Sequence, residues 1–235
     1  MKISIHQPHY FPWIGYFDKM AKADVFVLLD EVQFEKQSQM SRNRIIDGNG
    51  QIKFLSIPVD LKNFLNKKYL EIECIDSKWK IKHLNILENY YRDSKYKIEI
   101  MNDLRKVFSN EDNKVCGWTC RSIEYVREIL DIKTPIVYQS EIDYDRTEKK
   151  SELVLSICKK LNADVYFSGK GASVNYLNYE KFDQSDIKIE FQEFVHPLYP
   201  QLHTNQFVAG LSILDMLFNC GKEKTKEIFW ANINK

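Results

Sequence analysis

No apolar stretch in these 235 residues approaches the ~20 needed to cross a bilayer as a helix, so no membrane insertion is expected. Met1 leads straight into a short β-type run, Lys2-Ile3-Ser4-Ile5, with no charged and then apolar leader in front of it. A secretory signal is therefore not expected, and a cytoplasmic location is. Five cysteines lie at positions 74, 116, 120, 158 and 220. Only Cys116 and Cys120 are close in sequence, and they lack the second pair that would complete a zinc site, so no metal is expected. Net charge is +1, with 34 basic against 33 acidic residues. That balance leaves no strongly basic face for DNA, although a local patch for tRNA stays open. Neither the spacing of a P-loop nor that of a dinucleotide fingerprint occurs, and there is no internal repeat or low-complexity tract.

What is present is the pattern of an open α/β sheet. The first strand ends in His6-Gln7-Pro8-His9-Tyr10-Phe11-Pro12-Trp13. An amphipathic helix, 14–22, and a second apolar strand, Val25-Phe26-Val27-Leu28-Leu29, follow, and Asp30 closes the strand. Strand, polar loop, helix, strand is a βαβ opening, and ligands of such sheets bind at the carboxyl ends of the strands. Asp47-Gly48 and Asn49-Gly50 are strong turn pairs between two β-type runs and predict a hairpin. Residues 77–131 read instead as three helices. Ser77 is the expected cap of the first, which carries Ile81, Leu84, Leu87 and Tyr91 on one face. The second is expected to begin at Ser94 or Lys95 and run to Phe108, and the third to span 119–130. Strands at 135–138, 165–167 and 187–191 then resume, with a helix opening at Thr147 or Ser151 among them. A last helix is expected over 206–219, stopped by Gly221. The expected fold is thus α/β, one domain over 1–235 with an open, mostly parallel, Rossmann-like sheet and a helical insert or subdomain over 77–131.

Four polar clusters stand at strand ends or helix starts. The first is His6, Gln7, His9 and Tyr10, in a loop stiffened by two prolines. An imidazole titrating near neutrality serves as acid, base or phosphate donor. The second is Asp30, Gln33, Lys36, Ser38, Arg42 and Asn43. Here Asp30 should emerge at the same sheet edge as the first loop, and Lys36 and Arg42 suit a phosphate or carboxylate. Ser168-Gly169-Lys170-Gly171 is the third, where two glycines let backbone N–H groups approach an anion. A plain tight turn explains that third cluster equally well. His196-Pro197-Leu198-Tyr199-Pro200-Gln201 is the fourth. Asp215, inside an apolar helix, is expected to make a structural pairing, and Tyr199 and Trp13 to be packing residues.

Taken together, His6 through Phe17, Asp24 through Asp30, Gln33-Phe34, Arg42-Asn43, Ser168-Gly169, His196 through Gln201 and Leu211 through Asp215 resemble the WbqC-like family, nearly end to end. The resemblance implies a place in bacterial O-antigen or other surface-polysaccharide biosynthesis. It also implies transfer of an amino-acid group, such as glycine, onto the amine of a sugar. A weaker similarity of fold joins the βαβ opening to the nucleotidylyltransferase and pantothenate synthetase type. Trp13-Ile14-Gly15-Tyr16 falls where that type carries H-x-G-H, with both histidines missing.

The expectation is therefore an acyl or aminoacyl transferase acting on a nucleotide-linked amino sugar. His6 or His9 would take the proton that the amine loses, oriented by Asp30. Gln7, Tyr10, Gln33, Lys36, Arg42, Asn43, Ser168, Gly169, Lys170, His196 and Gln201 are the substrate-binding candidates. The partners expected are that sugar nucleotide and an acyl or aminoacyl donor, and assembly as a homo-oligomer stays open. An ATP-dependent ligase using magnesium at the same sheet edge is one alternative. A non-catalytic partner in a polysaccharide assembly complex is another.

Overall fold

The computed structural model describes residues 1–62, 64–171 and 173–233. The chain divides into two compact units. The first comprises Met1–Gln7, Tyr16–Glu31 and Ile132–Val195; the second comprises Pro8–Gly15, Val32–Asp131 and His196–Lys235.

The first unit is the α/β sheet. Five strands, β1 (Lys2–His6), β2 (Val25–Leu28), β5 (Ile136–Tyr138), β6 (Val165–Ser168) and β7 (Lys188–Phe191), lie in the order β5-β2-β1-β6-β7, and every pairing is parallel. Parallel neighbours need crossovers. Helix α1 (Ile14–Ala21) supplies the first and α5 (Ser151–Lys160) another, while the short α6 (Ser173–Tyr176) and α7 (Tyr179–Asp183) lie between β6 and β7. Because side chains alternate along a strand, the register decides which face each helix covers. Ser4 pairs with Phe26 and with Phe167, so Ser4, His6, Phe26 and Leu28 share one face. Tyr16 on α1 packs its ring against His6 at 4.9 Å and Phe26 at 5.3 Å, which places α1 there. On the opposite face Tyr166 stacks against Phe182 of α7 at 5.8 Å. The sheet is Rossmann-like, as its sequence pattern predicts.

The second unit combines an antiparallel hairpin with helices. β3 (Arg42–Ile46) and β4 (Ile52–Ser56) are joined through the expected turn. Asp47 Oδ1 accepts the N–H groups of Asn49 and Gln51, each at 2.9 Å. Gly50 sits at φ 77 with the His203 carbonyl where a Cβ would be, so no side chain fits. The three helices α2 (Lys78–Tyr90), α3 (Lys97–Phe108) and α4 (Val115–Leu130) occur in this unit. They close over an aromatic core in which Trp79 meets Trp118 edge to face at 5.2 Å.

Three local expectations are corrected. The buried stripe of α2 is Trp79, His83 and Leu87, at i, i+4 and i+8, and Ile81 is 66% exposed. Ser77 makes no side-chain cap; Asp76 Oδ1 instead accepts the Lys78 N–H at 2.8 Å. The last helix, α8, does not begin at Gln206 but spans Ile213–Ile233. Gly210 at φ 68 breaks any right-handed helix before it, and the Ser212 hydroxyl accepts the Leu214 N–H at 3.3 Å. Gly221, the expected stop, does interrupt the helix: at φ 75 its backbone is non-helical, the Tyr96 ring fills the space a Cβ would need, and a second helical segment continues beyond the kink to Ile233.

Candidate functional site

In the sheet order β5-β2-β1-β6-β7 the chain builds outward from β1 on one side and later from β6 on the other. The direction of winding reverses between β1 and β6. In sheets wound this way the connecting loops part at such a point, and ligands bind outside the carboxyl ends of the two strands. His6 is the last residue of β1 and Ser168 the last of β6, so the leading residues of two predicted clusters flank that point.

His6 is held by its neighbours. Its Nδ1 lies 3.0 Å from the Gln7 carbonyl. A carbonyl only accepts, so Nδ1 carries the proton and the lone pair of the neutral ring is on Nε2. The Tyr16 hydroxyl donates to the same carbonyl at 3.2 Å. The backbone of Gln7 therefore fixes both a tautomer and a ring stacked edge-on against Tyr16. Asp30, just past β2, is buried, and both of its oxygens accept from Ser140: the N–H at 2.9 Å and the hydroxyl at 2.6 Å. Across the reversal point, the Ser168 hydroxyl donates within 2.9 Å of Ser173 Oγ, and Ser173 donates to the Gly169 carbonyl at 2.6 Å. Among the described residues no protein acceptor takes the backbone N–H of Gly169, Lys170 or Gly171. A side-chain carbon added at Gly169 or Gly171 would meet open space. Lys170 pairs with Glu193 at 3.1 Å on the surface.

The remaining predicted residues belong to the second unit, and several are committed inside it. Tyr10 is fully buried, its hydroxyl 3.0 Å from His83 Nδ1. Asn43 donates to the carbonyls of Tyr10 (3.2 Å) and Phe11 (2.8 Å) and accepts the Arg44 N–H at 2.8 Å. It thereby holds a loop in which Phe11 adopts φ 39. Gln201 accepts the Val208 N–H at 2.8 Å and donates to the Val208 carbonyl at 2.9 Å and to Asp215 at 3.3 Å. His196 stacks between Trp13 and Tyr199, each 6.2 Å away, and burial lowers its pKa. The His9 carbonyl accepts from Ser122, and Gln33 donates to the Phe64 carbonyl at 3.0 Å. The cations differ in character. Arg42 lies 4.1 Å over the exposed Phe54 ring and Lys36 4.3 Å over Phe64, and neither pairs with a carboxylate among the described residues.

Sequence reasoning passed over three residues of the sheet unit. Asp18 and Lys19 lie on a helix read as amphipathic, yet they are 0% and 3% exposed. Gln192, past β7, donates its side-chain N–H to Asp18 at 2.6 Å and its backbone N–H to the Ser168 carbonyl at 2.7 Å. The available signal was that α1 places Asp18-Lys19 amid Tyr16, Phe17 and Met20, so that a charged pair had to share a helix with bulky apolar residues.

Fold and strand-end geometry define a doubly wound α/β protein with polar residues gathered at its winding reversal. Its sequence matches, over residues 7–227, the model of the WbqC-like protein family, and the chain belongs to that family. It is 30% identical over 224 residues, covering 94% of this chain and 95% of the other, to a Mycobacterium tuberculosis protein described as uncharacterized protein Rv1507c. No solved structure matches it. Among the described residues no helix is long and apolar enough to cross a membrane.

Proposed function

We propose that the protein transfers an acyl or aminoacyl group, such as glycyl, to the amine of a nucleotide-linked amino sugar in surface-polysaccharide biosynthesis. The observation that supports this reading best is the placement of His6 and the Ser168–Lys170 turn on either side of the winding reversal. In the reaction the sugar amine attacks the donor's carbonyl carbon, the new C–N bond forms, and the donor's leaving group departs with the electrons of the broken bond. The amine must shed a proton, and Nε2 of His6 accepts it. The open N–H groups of Gly169, Lys170 and Gly171 receive the diphosphate oxygens, and Lys170 adds charge. Asp30, through Ser140, fixes the chain beside β2 at the same strand ends.

The test is an assay of the purified protein with UDP- or GDP-linked amino sugars and a panel of activated acyl donors, in which mass spectrometry reads the new amide. His6→Ala should lower turnover about a hundredfold or more, and Lys170→Ala should raise KM with little change in kcat. Full turnover by His6→Ala removes His6 from the chemistry. Pyrophosphate or ADP released from ATP in step with product would favour the ligase alternative instead.

A further inference from the structure

Among the described residues Lys19 is the only buried lysine, and no carboxylate pairs with it. It lies on α1, against the face of the sheet that carries His6. Its Nζ is 5.7 Å from the centre of the Phe26 ring and donates to the Ile5 carbonyl at 3.0 Å. Continuing the β1–β6 register, in which Ser4 faces Phe167, puts Ile5 level with Ser168. The carbonyl that holds the amine is therefore about one strand spacing, ~4.8 Å, from the carboxyl end of β6.

Every other charge near it is already used. Asp18, its neighbour on α1, accepts from Lys22 at 2.8 Å and from Gln192 at 2.6 Å. His6 faces it from β1, and Lys2 on the same face pairs with Glu190 of β7 at 2.8 Å. The strand beneath it, Val25–Leu28, is entirely apolar, and Lys170 at the strand ends pairs with Glu193. An ammonium carries three N–H donors and here meets one carbonyl. Enclosed positive charge without a counter-ion is costly, and burial accordingly pulls the Lys19 pKa down to about 7.

We infer that the carboxyl ends of β1 and β6 form a phosphoanion site whose buried counter-ion is Lys19. Two features converge on it: three open backbone N–H groups at 169–171 on one strand end, and a buried amine lacking its partner at the other. With the site empty the amine is largely neutral above neutrality. A diphosphate at the strand ends supplies the missing negative charge, and Lys19 takes up a proton from solvent as the anion binds. This deepens the transferase reading, on which it rests for the use of these strand ends.

Calorimetric titration of UDP, and of inorganic pyrophosphate, into the full-length protein tests it. The titration is run at about pH 8, between the folded and unfolded pKa of the lysine, in two buffers of different ionisation enthalpy. Wild type should take up close to one proton per ligand. Lys19→Met should bind about tenfold more weakly with no uptake. Lys19→Arg, permanently charged, should bind without uptake, and it decides the matter if the methionine variant does not fold. Binding by wild type without proton uptake, uptake that persists in either variant, or failure of both probes to bind overturns the inference. None of these results bears on amide formation, which has its own assay. Conversely, proton uptake with no amide product would remove the transferase reading and leave the anion site.

Discussion

The hydroxyl of Tyr10 and Nδ1 of His83 lie 3.0 Å apart, and the other ring nitrogen of His83 is 2.9 Å from the Ser56 carbonyl. The carbonyl can only accept, so Nε2 carries the proton and Nδ1 takes the Tyr10 hydrogen bond. This arrangement requires a neutral imidazole. Tyr10, one of the polar residues of the first loop, thus spends its hydroxyl on a buried contact.

That pair predicts a pH dependence of stability. Burial lowers the His83 pKa to about 4, below the ~6.5 of an unfolded chain. Between these values the unfolded state binds a proton that the folded state refuses. The contribution is fully present above ~6.5 and is lost as pH falls through about 4, up to roughly 3 kcal/mol. Urea unfolding of wild type and His83→Gln at several pH values checks it. The glutamine variant keeps a donor and an acceptor and should show a flatter acid slope. An unchanged slope would mean that other groups carry the acid sensitivity.

Lys19 predicts a pH dependence on the other side of neutrality. Its folded pKa of about 7 lies below the unfolded ~10.4. The unfolded chain therefore holds more protons between them, and stability rises with pH across that window. Below about 7 the folded state carries the whole cost of the buried ammonium, up to roughly 5 kcal/mol. Lys19→Met, similar in volume and uncharged, should accordingly unfold at higher temperature than wild type at about pH 6, with the gap closing toward about pH 10. Thermal unfolding at the two pH values reads this directly. A methionine variant less stable at pH ~6 would mean that the hydrogen bond to Ile5 outweighs the cost of the charge.

The sheet was legible because its strands are continuous apolar runs and its first crossover is short. Periodicity alone recovers β1, β2 and β6 almost to the residue. The roles of the polar residues were less legible, since a side chain's chemistry does not announce its partner. Asn43 is a substrate-binding candidate in sequence, and its side chain clamps the Tyr10 and Phe11 carbonyls, 33 and 32 residues away in the chain. Lys19 went unremarked among the polar clusters: its helix reads as amphipathic, and tertiary packing against Phe26 and the Ile5 carbonyl buries it. The start of α8 failed for a local reason: the apolar stripe runs unbroken from Phe207, while the left-handed backbone at Gly210 forbids the helix that the stripe suggests.

Asp215 carries the last prediction. Sequence alone favoured a structural pairing for this carboxylate, and the Tyr91 and Tyr199 hydroxyls each donate to it at 2.9 Å, one to each oxygen. Tyr91 also stacks on Phe218 at 4.4 Å, nearly parallel. The site thus ties α8 to the segment after α2 and to the His196–Gln201 segment. Burial raises the Asp215 pKa even though Tyr91, Tyr199 and Gln201 all donate to the carboxylate. Tyr91→Phe and Tyr199→Phe should each cost about 1–2 kcal/mol, because the phenyl ring keeps the packing and loses one donor. Asp215→Ala strands both hydroxyls in the core and should cost about 3 kcal/mol or more. The two tyrosines share one acceptor, so the double Phe variant should depart from the sum of the singles by 0.5 kcal/mol or more. Denaturant unfolding of the four variants measures each difference, and strictly additive losses would show that the two hydrogen bonds act independently.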